Sequence, residues 1–452
     1  MRLRNTAILA LVLIALGAYL YFVESKQIAD EAQKPTLVDV APADVTGVTL
    51  TYPDREIVLT RGDQGWRMTK PIEALADEVT VTNLVRAIAE AEVKKTIDDP
   101  PQDLAQFGLA SPLAVVTLTA KGAALPALKV GKTTEVSFST YVQRADQPKV
   151  YLTGSGFRSG MDKQVKDLRD KKVIDVAENE VTRVTLQAPR GAVTLAKTDG
   201  TWMIEQPVTQ RADAVAVGTL LAAVHNLRAT DFANDTPDAA DLAAYGLEPP
   251  QASLSFAVGE APARHLLLGK ETEQGIHVKT SDGPTVFIVG KWVAGDLDKG
   301  VNELRDKTVL SFDPATVAAV EVVRGDGEQF TLVSSQGTWS LADIETPVDE
   351  TAVTRFVTAL SHLAGTRVLA AQTEDLGTYG LARPALTITV RGAGDAALGT
   401  IKLGSFAAKP PATEYAVMRS DDPTVFELQE FQFEALDTHK ADFAAPPSPA
   451  AP

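Results

Sequence analysis

No cysteine occurs among the 452 residues. That absence excludes disulfides, thiolate zinc sites, iron–sulfur clusters, a cysteine nucleophile and a lipidated N-terminal cysteine. Histidine is scarce: the five are His225, His265, His277, His362 and His439. They form no H-x-x-x-H or H-E-x-x-H pair, so the helical metal-binding motifs are missing. A triad assembled in space is left open by spacing alone. Positive charge is also short, with 43 Lys and Arg against 59 Asp and Glu and a net charge of −16. A nucleic-acid duplex or a bare anionic lipid surface repels such a chain, so no nucleic-acid partner is expected.

One long uncharged apolar run is present. Arg2 and Arg4 precede "NTAILALVLIALGAYLYFV", residues 5–23. As a helix this run spans about 28 Å, close to the roughly 30 Å hydrocarbon layer. Tyr19, Tyr21 and Phe22 stand where an interfacial aromatic belt belongs, and Glu24 and Lys26 close the segment. The expectation is one uncleaved transmembrane anchor with a cytoplasmic N-terminus and the bulk of the chain outside the cytoplasm. A cleaved signal peptide is the competing reading, but the run is long for one. Residues 24–36 read as a polar stalk. The Pro/Ala end, "AAPPSPAAP" at Ala444–Pro452, has nothing to bury and is expected to be disordered, with residues 446–452 forming the tail beyond the third module.

The remainder is too long for one core, and its apolar fraction of 45% is that of folded protein. It repeats itself. Trp66, Trp202 and Trp339 recur at spacings of 136 and 137. "FGL" at Phe107–Leu109 returns as "YGL" at Tyr245–Leu247 and Tyr379–Leu381. "VGK" at Val130–Lys132 returns as "LGK" at Leu268–Lys270 and "LGS" at Leu403–Ser405. "LRDK" closes the first two copies at Leu168–Lys171 and Leu304–Lys307, whereas the third has only "LDTHK" at Leu436–Lys440. Fixed-period similarity of this kind marks tandem modules, here 37–172, 173–308 and 309–445.

Within each module alternating strands come first, then a helix. Asp77, Asp213 and Asp349 are N-cap candidates. After them Val81, Leu84, Val85 and Ile88 sit at i, i+3, i+4 and i+7. The later copies have Val217, Leu220, Leu221 and Val224, then Val353, Phe356, Val357 and Leu360. One apolar face thus packs on a sheet in every copy. A helical turn stopped by the glycine of "YGL" and two hairpins follow. The fold class is α+β: three tandem repeats of a mainly antiparallel sheet packed against helices, preceded by one transmembrane helix. The modules join almost without linkers, which favours a stiff rod of roughly 100 Å.

The recurring residues read as structure before chemistry. A tryptophan at one phase in three copies fills a core in preference to stacking a sugar. "GKTT" at Gly131–Thr134 lacks the earlier glycine of a phosphate loop, with Pro126 in its place. "RGD" at Arg61–Asp63 and Arg324–Asp326 falls in strand–strand turns. No base, nucleophile or metal ligand recurs beside "LRDK", so no catalytic residue, cofactor or metal is assigned and the protein is not read as an enzyme. Arg169, Asp170, Arg305 and Asp306 are candidate contacts that pair across module junctions. Trp292 is a candidate ligand-stacking residue.

The combination of Trp–x4–Pro, Ala-Asp before a helix, "YGL", the glycine–lysine pair and "LRDK" resembles the domain-of-unknown-function 4340 family. The first two copies match best, at Trp66–Pro71 with Ala76–Asp77 and Trp202–Pro207 with Ala212–Asp213. The third departs, with Pro347 eight residues beyond Trp339. The resemblance implies a bacterial protein of the inner membrane with one N-terminal membrane helix, encoded beside ABC-transporter components similar to the gliding-motility auxiliary type. It carries over no catalytic residues. The expected function is a membrane-anchored extracytoplasmic scaffold or accessory to an ABC-type export or envelope-assembly system, held by protein partners. An envelope-glycan or other ligand-binding protein is the alternative, and an enzyme with a single active module the third.

Overall fold

The computed structural model describes residue 19 and residues 35–98, 101–259, 261–335, 337–342, 344–371, 373, 375–409 and 412–445. Apart from Tyr19, the expected anchor 5–23 lies outside the described residues, as do residues 24–34 of the stalk and the tail 446–452. Among the described residues no helix is long and apolar enough to cross a membrane. The stalk is shorter than expected. The carbonyl of Pro35 already accepts from the Val93 amide at 2.7 Å, and Thr36 forms an isolated bridge with Glu92.

Three antiparallel sheets follow one another along the chain, with ten, nine and nine strands. In the first, the order from edge to edge is Ala74–Leu75, Gly65–Lys70, Glu56–Gly62, Val45–Thr51, Ala114–Ala120, Leu128–Thr133, Ser139–Arg144, Val150–Ser155 and Lys95–Asp98, and the tenth strand, Ala123–Ala124, pairs with Ala114–Ala120 off this path. The other two sheets repeat this order with their own strands. The long helix, Glu78–Ala89, lies in sequence between the strands at the two opposite edges. The chain must therefore cross the sheet, and the helix covers a face on the way. Lys95–Asp98 is absent from the sequence reading because its charged residues look like loop. At an edge such residues are suited to a strand with one open side.

The helices behave as their caps and periodicity dictate. Glu78–Ala89, Ala214–His225 and Glu350–Ser361 each have 12 residues and begin after Asp77, Asp213 and Asp349. Each aspartate accepts from backbone amides of the first turn, for example Thr80 N to Asp77 at 2.7 Å. All twelve predicted apolar positions are buried. Burial of each such side chain contributes about 1.5–3 kcal/mol. Thr82 and Thr354 have a glycine, Gly218, at their place in the second helix, and a Cβ added there meets nothing within 4 Å. Gly218→Ala should raise the stability of this helix by about 0.5–1 kcal/mol, read as a higher unfolding midpoint.

The main core lies between sheet and helix. Trp66 is 3% and Trp202 7% exposed, and Trp339 is half-buried against the third core. A second, smaller cluster sits on the opposite face. Val142 joins the main core of the first repeat while the adjacent Tyr141 packs with Phe107, Leu109 and Val150. Successive strand residues point to opposite faces, so the "FGL" segment covers the back of the sheet. The third repeat does the same with Val417 in the main core, Ala416 and Met418 in the rear cluster, and Leu381 and Tyr379 above them.

By contact density the chain divides into two compact units. One holds the described residues up to 173 together with Arg228–Phe232, the other 174–227 and the described residues from 233 onward.

Candidate functional site

The most repeated motifs prove to be partners of one another. Gly108, Gly246 and Gly380 all have positive φ, at 67°, 71° and 70°. A Cβ on any of them would strike Lys132, Lys270 or Ser405. In return, a Cβ on Gly131, Gly269 or Gly404 would strike the carbonyl of Phe107, Tyr245 or Tyr379. In the second repeat the Lys270 amide donates to the Tyr245 carbonyl at 2.7 Å, and Lys270 Nζ donates to Ala244 O at 3.0 Å. Aromatic rings meet behind this lock: Tyr245 stacks on His277 at 4.6 Å, and Phe107 lies tilted against Tyr141 at 5.1 Å. The first three residues of "GKTT" therefore end a strand, Leu128–Thr133, whose glycine faces a backbone turn and no phosphate cradle.

"LRDK" is where each module closes on itself. The Asp77 amide donates to Leu168 O and the Asp170 amide to Leu75 O, both at 2.9 Å. The second copy repeats this with Asp213 to Leu304 and Asp306 to Arg211, again at 2.9 Å. In the third copy the Asp349 amide donates to Phe443 O at 2.9 Å, and Val348 bridges Ala444. The counterpart of "LR" is thus Phe443–Ala444, not the "LDTHK" run. The assignment of Ala444 to a loose end fails for the same reason, since the bridge holds it.

The four candidate junction residues go separate ways. The Arg169 guanidinium lies over the Phe232 ring at 3.6 Å, and the neighbouring Lys166 pairs with Asp231 at 2.7 Å. Asp170 accepts from the Lys172 amide at 2.9 Å. Asp306 accepts from the Thr308 amide at 2.9 Å and stands 3.5 Å from Arg211. The ion pair expected of Arg305 is not formed. Its side chain is buried, and its Nε and Nη1 meet no hydrogen-bond partner among the described residues. Burial pulls this guanidinium below its usual pKa. At the place of Phe232 the third repeat has Val368, which offers no ring face. Arg305→Met keeps the stem and removes the unsatisfied head, so it should raise stability by about 1–3 kcal/mol. Arg169→Met should lower it. Parallel chemical denaturation of the two variants checks both signs.

Trp292 is 53% exposed at the start of the helix Trp292–Leu297, its indole lying over Gly290. Four of the five histidines hold a polar partner at a ring nitrogen. His225 Nδ1 is 2.6 Å from Val176 O, His277 Nδ1 is 3.2 Å from Lys270 O, and His265 Nδ1 is 2.6 Å from Ser255 Oγ. Ser255 and His265 are a cross-strand pair on an open sheet face, where water competes for every donor. The fourth, His439, joins Asp326 and Glu328 in the one cluster of possible metal ligands among the described residues, with one atom of each within 4.8 Å of the others. Arg324 already supplies the cation there, 3.2 Å from Asp326 and 2.7 Å from Asp437. His439 and the Lys440 amide take up Glu328 at 2.8 and 3.2 Å. The Asp326 carboxyl is held below its usual range by the Glu328 amide and then by Arg324. This is a clamp between the "RGD" turn and the C-terminal segment. Sequence spacing could not show it, because its parts are more than 100 residues apart.

The family model described as "Domain of unknown function (DUF4340)" matches the chain three times, over residues 66–240, 202–363 and 339–446. Each match opens on one of the three repeat tryptophans. No curated protein matches the chain.

Proposed function

From the premise that this chain belongs to the DUF4340 family, we propose that it is a membrane-tethered extracytoplasmic scaffold, an accessory to an ABC-type export or envelope-assembly system. The observation that carries this reading is the use made of the repeated residues. Tryptophan, "YGL", glycine–lysine and "LRDK" are all consumed in packing, turns and closure. A chain that repeats its architecture and not a reactive constellation is suited to presenting surfaces. The tether rests on the uncharged run of residues 5–23 behind Arg2 and Arg4.

Two measurements test it. A reporter fused to the C-terminus should be active only outside the cytoplasm, and a cytoplasmic signal sinks the tether. Crosslinking in intact membranes should attach the chain to subunits of an exporter or assembly complex. Crosslinks confined to the chain itself count against an accessory role. A second reading, an envelope-glycan binder, draws on the exposed indole of Trp292. It requires tryptophan fluorescence that responds to at least one member of a glycan panel.

A further inference from the structure

The three repeats differ at one place where the helix that precedes "LRDK" meets the sheet. That helix ends at Asp162, Asp298 and Asp437, which share one backbone conformation. Four residues earlier stand Arg158, Ala294 and Phe433. In the first repeat Arg158 donates to the carbonyl of Gly131. In the third, Phe433 stacks on Tyr415 at 4.2 Å. The position at the end of the first strand varies in step: Tyr52, Ala188 and Arg324. The Tyr52 hydroxyl donates to Met161 O at 2.6 Å, and Arg324 donates to Asp437 at 2.7 Å and Thr438 O at 2.9 Å. Only the second repeat has alanine at both places, followed by Gly295 where the first has Ser159.

Beside Ala294 lies a cleft of about 230 Å³, lined by Leu268, Gly269, Ile276, Ala294, Gly295 and Asp298 among others. It is smaller than the roughly 300 Å³ or more of an ordinary small-molecule site, which is the scale of one long side chain. Its walls are mostly apolar. Its polar groups are Asp298, Glu271 and Gln251, and Gly269 is the counterpart of the glycine whose carbonyl receives Arg158. Asp298 accepts from the Arg190 amide and is paired with the exposed Arg190 guanidinium, both at 3.2 Å, and Glu271 is paired with the exposed Lys291 at 3.0 Å. Exposed pairs of this kind are weak and exchange readily.

We propose that this cleft of the second repeat receives an arginine side chain from a protein partner, in the position that the first repeat fills with its own Arg158. The stem packs on Leu268 and Ile276, and the guanidinium reaches the Gly269 carbonyl and Asp298. Trp292 lies one turn from Gly295 on the same short helix. The inference rests on the reading of the chain as a partner-binding protein, but not on the tether.

The test uses the full-length purified chain and a short alanine-flanked arginine peptide, titrated by calorimetry. The arginine peptide should bind, and its citrulline counterpart, which has the same shape without the charge, about tenfold more weakly. Ala294→Arg should abolish binding and raise the melting midpoint, since it supplies the side chain from within. Should that variant fail to fold, Asp298→Asn should weaken the arginine peptide while leaving the citrulline peptide unchanged. Equal binding of the two peptides, undiminished binding to Ala294→Arg, or no binding of the arginine peptide overturns the proposal. So does a glycan that binds at Trp292 when the peptide does not. Failure here leaves the membrane crosslinking result standing, and the reverse also holds.

Discussion

Replacing Phe443 with alanine is expected to destabilise the third repeat by about 3–5 kcal/mol, the cost of deleting a buried aromatic ring. Phe443 is 1% exposed. Its ring lies 5.6 Å from Phe330 and 5.3 Å from Phe356. Phe330 comes from the sheet and Phe356 from the long helix, so the deletion opens a cavity where the two layers meet. The Phe443 carbonyl also accepts from the amide of the helix cap, Asp349. A chain ending at residue 440 loses both contributions and should lose the cooperative unfolding of this repeat altogether. A chain ending at residue 445 keeps both and should unfold as the complete protein does. Urea denaturation of the three forms decides the matter. Equal midpoints for all three would show that the C-terminal segment does not close the repeat.

Gly269→Ala is expected to cost the second repeat about 2–4 kcal/mol. The cause is steric: the new Cβ meets the Tyr245 carbonyl, with the Leu247 side chain 3.1 Å away. A flexible side chain could swing aside, but a carbonyl fixed by the Lys270 amide at 2.7 Å cannot without breaking that bond. Overpacking of a rigid site costs about 1–3 kcal/mol, and a lost backbone hydrogen bond adds about 1 kcal/mol. Gly218→Ala, in the same repeat, has open space and the opposite sign. Measuring both in one background separates steric collision from any general effect of adding a methyl group. A neutral Gly269→Ala would show that the two motifs are merely adjacent.

These two positions show how far the sequence could be read. The long helices were legible in full, because a 3.6-residue period and an aspartate cap are local signals written at fixed spacing. Asp77, Asp213 and Asp349 cap where the spacing places them, and the twelve apolar positions are buried. The strands with alternating residues were legible for the same reason. Lys95–Asp98 was not, since its charges suit an edge and resemble a loop. The close of the third module was misplaced, because "LDTHK" resembles "LRDK" in letters while the backbone uses Phe443–Ala444. Nothing in the residues says which carbonyl a remote amide will reach.

By itself, then, the sequence determined the number of repeats, the order of elements within them, the face of each helix that is buried, and the absence of thiol chemistry. Those follow from composition and from short-range periodicity, which are properties of the chain before it folds. Tertiary structure alone decided that "YGL" and the glycine–lysine pair interlock, that Arg169 finds a ring while Arg305 Nε and Nη1 find no partner among the described residues, and that a cleft opens beside Ala294 in the second repeat. Each of these depends on which side chains from distant segments share one small volume. That is a matter of three-dimensional packing, and residues such as Arg324 and Asp437, more than 100 positions apart, have no meaning as a pair until the fold brings them together.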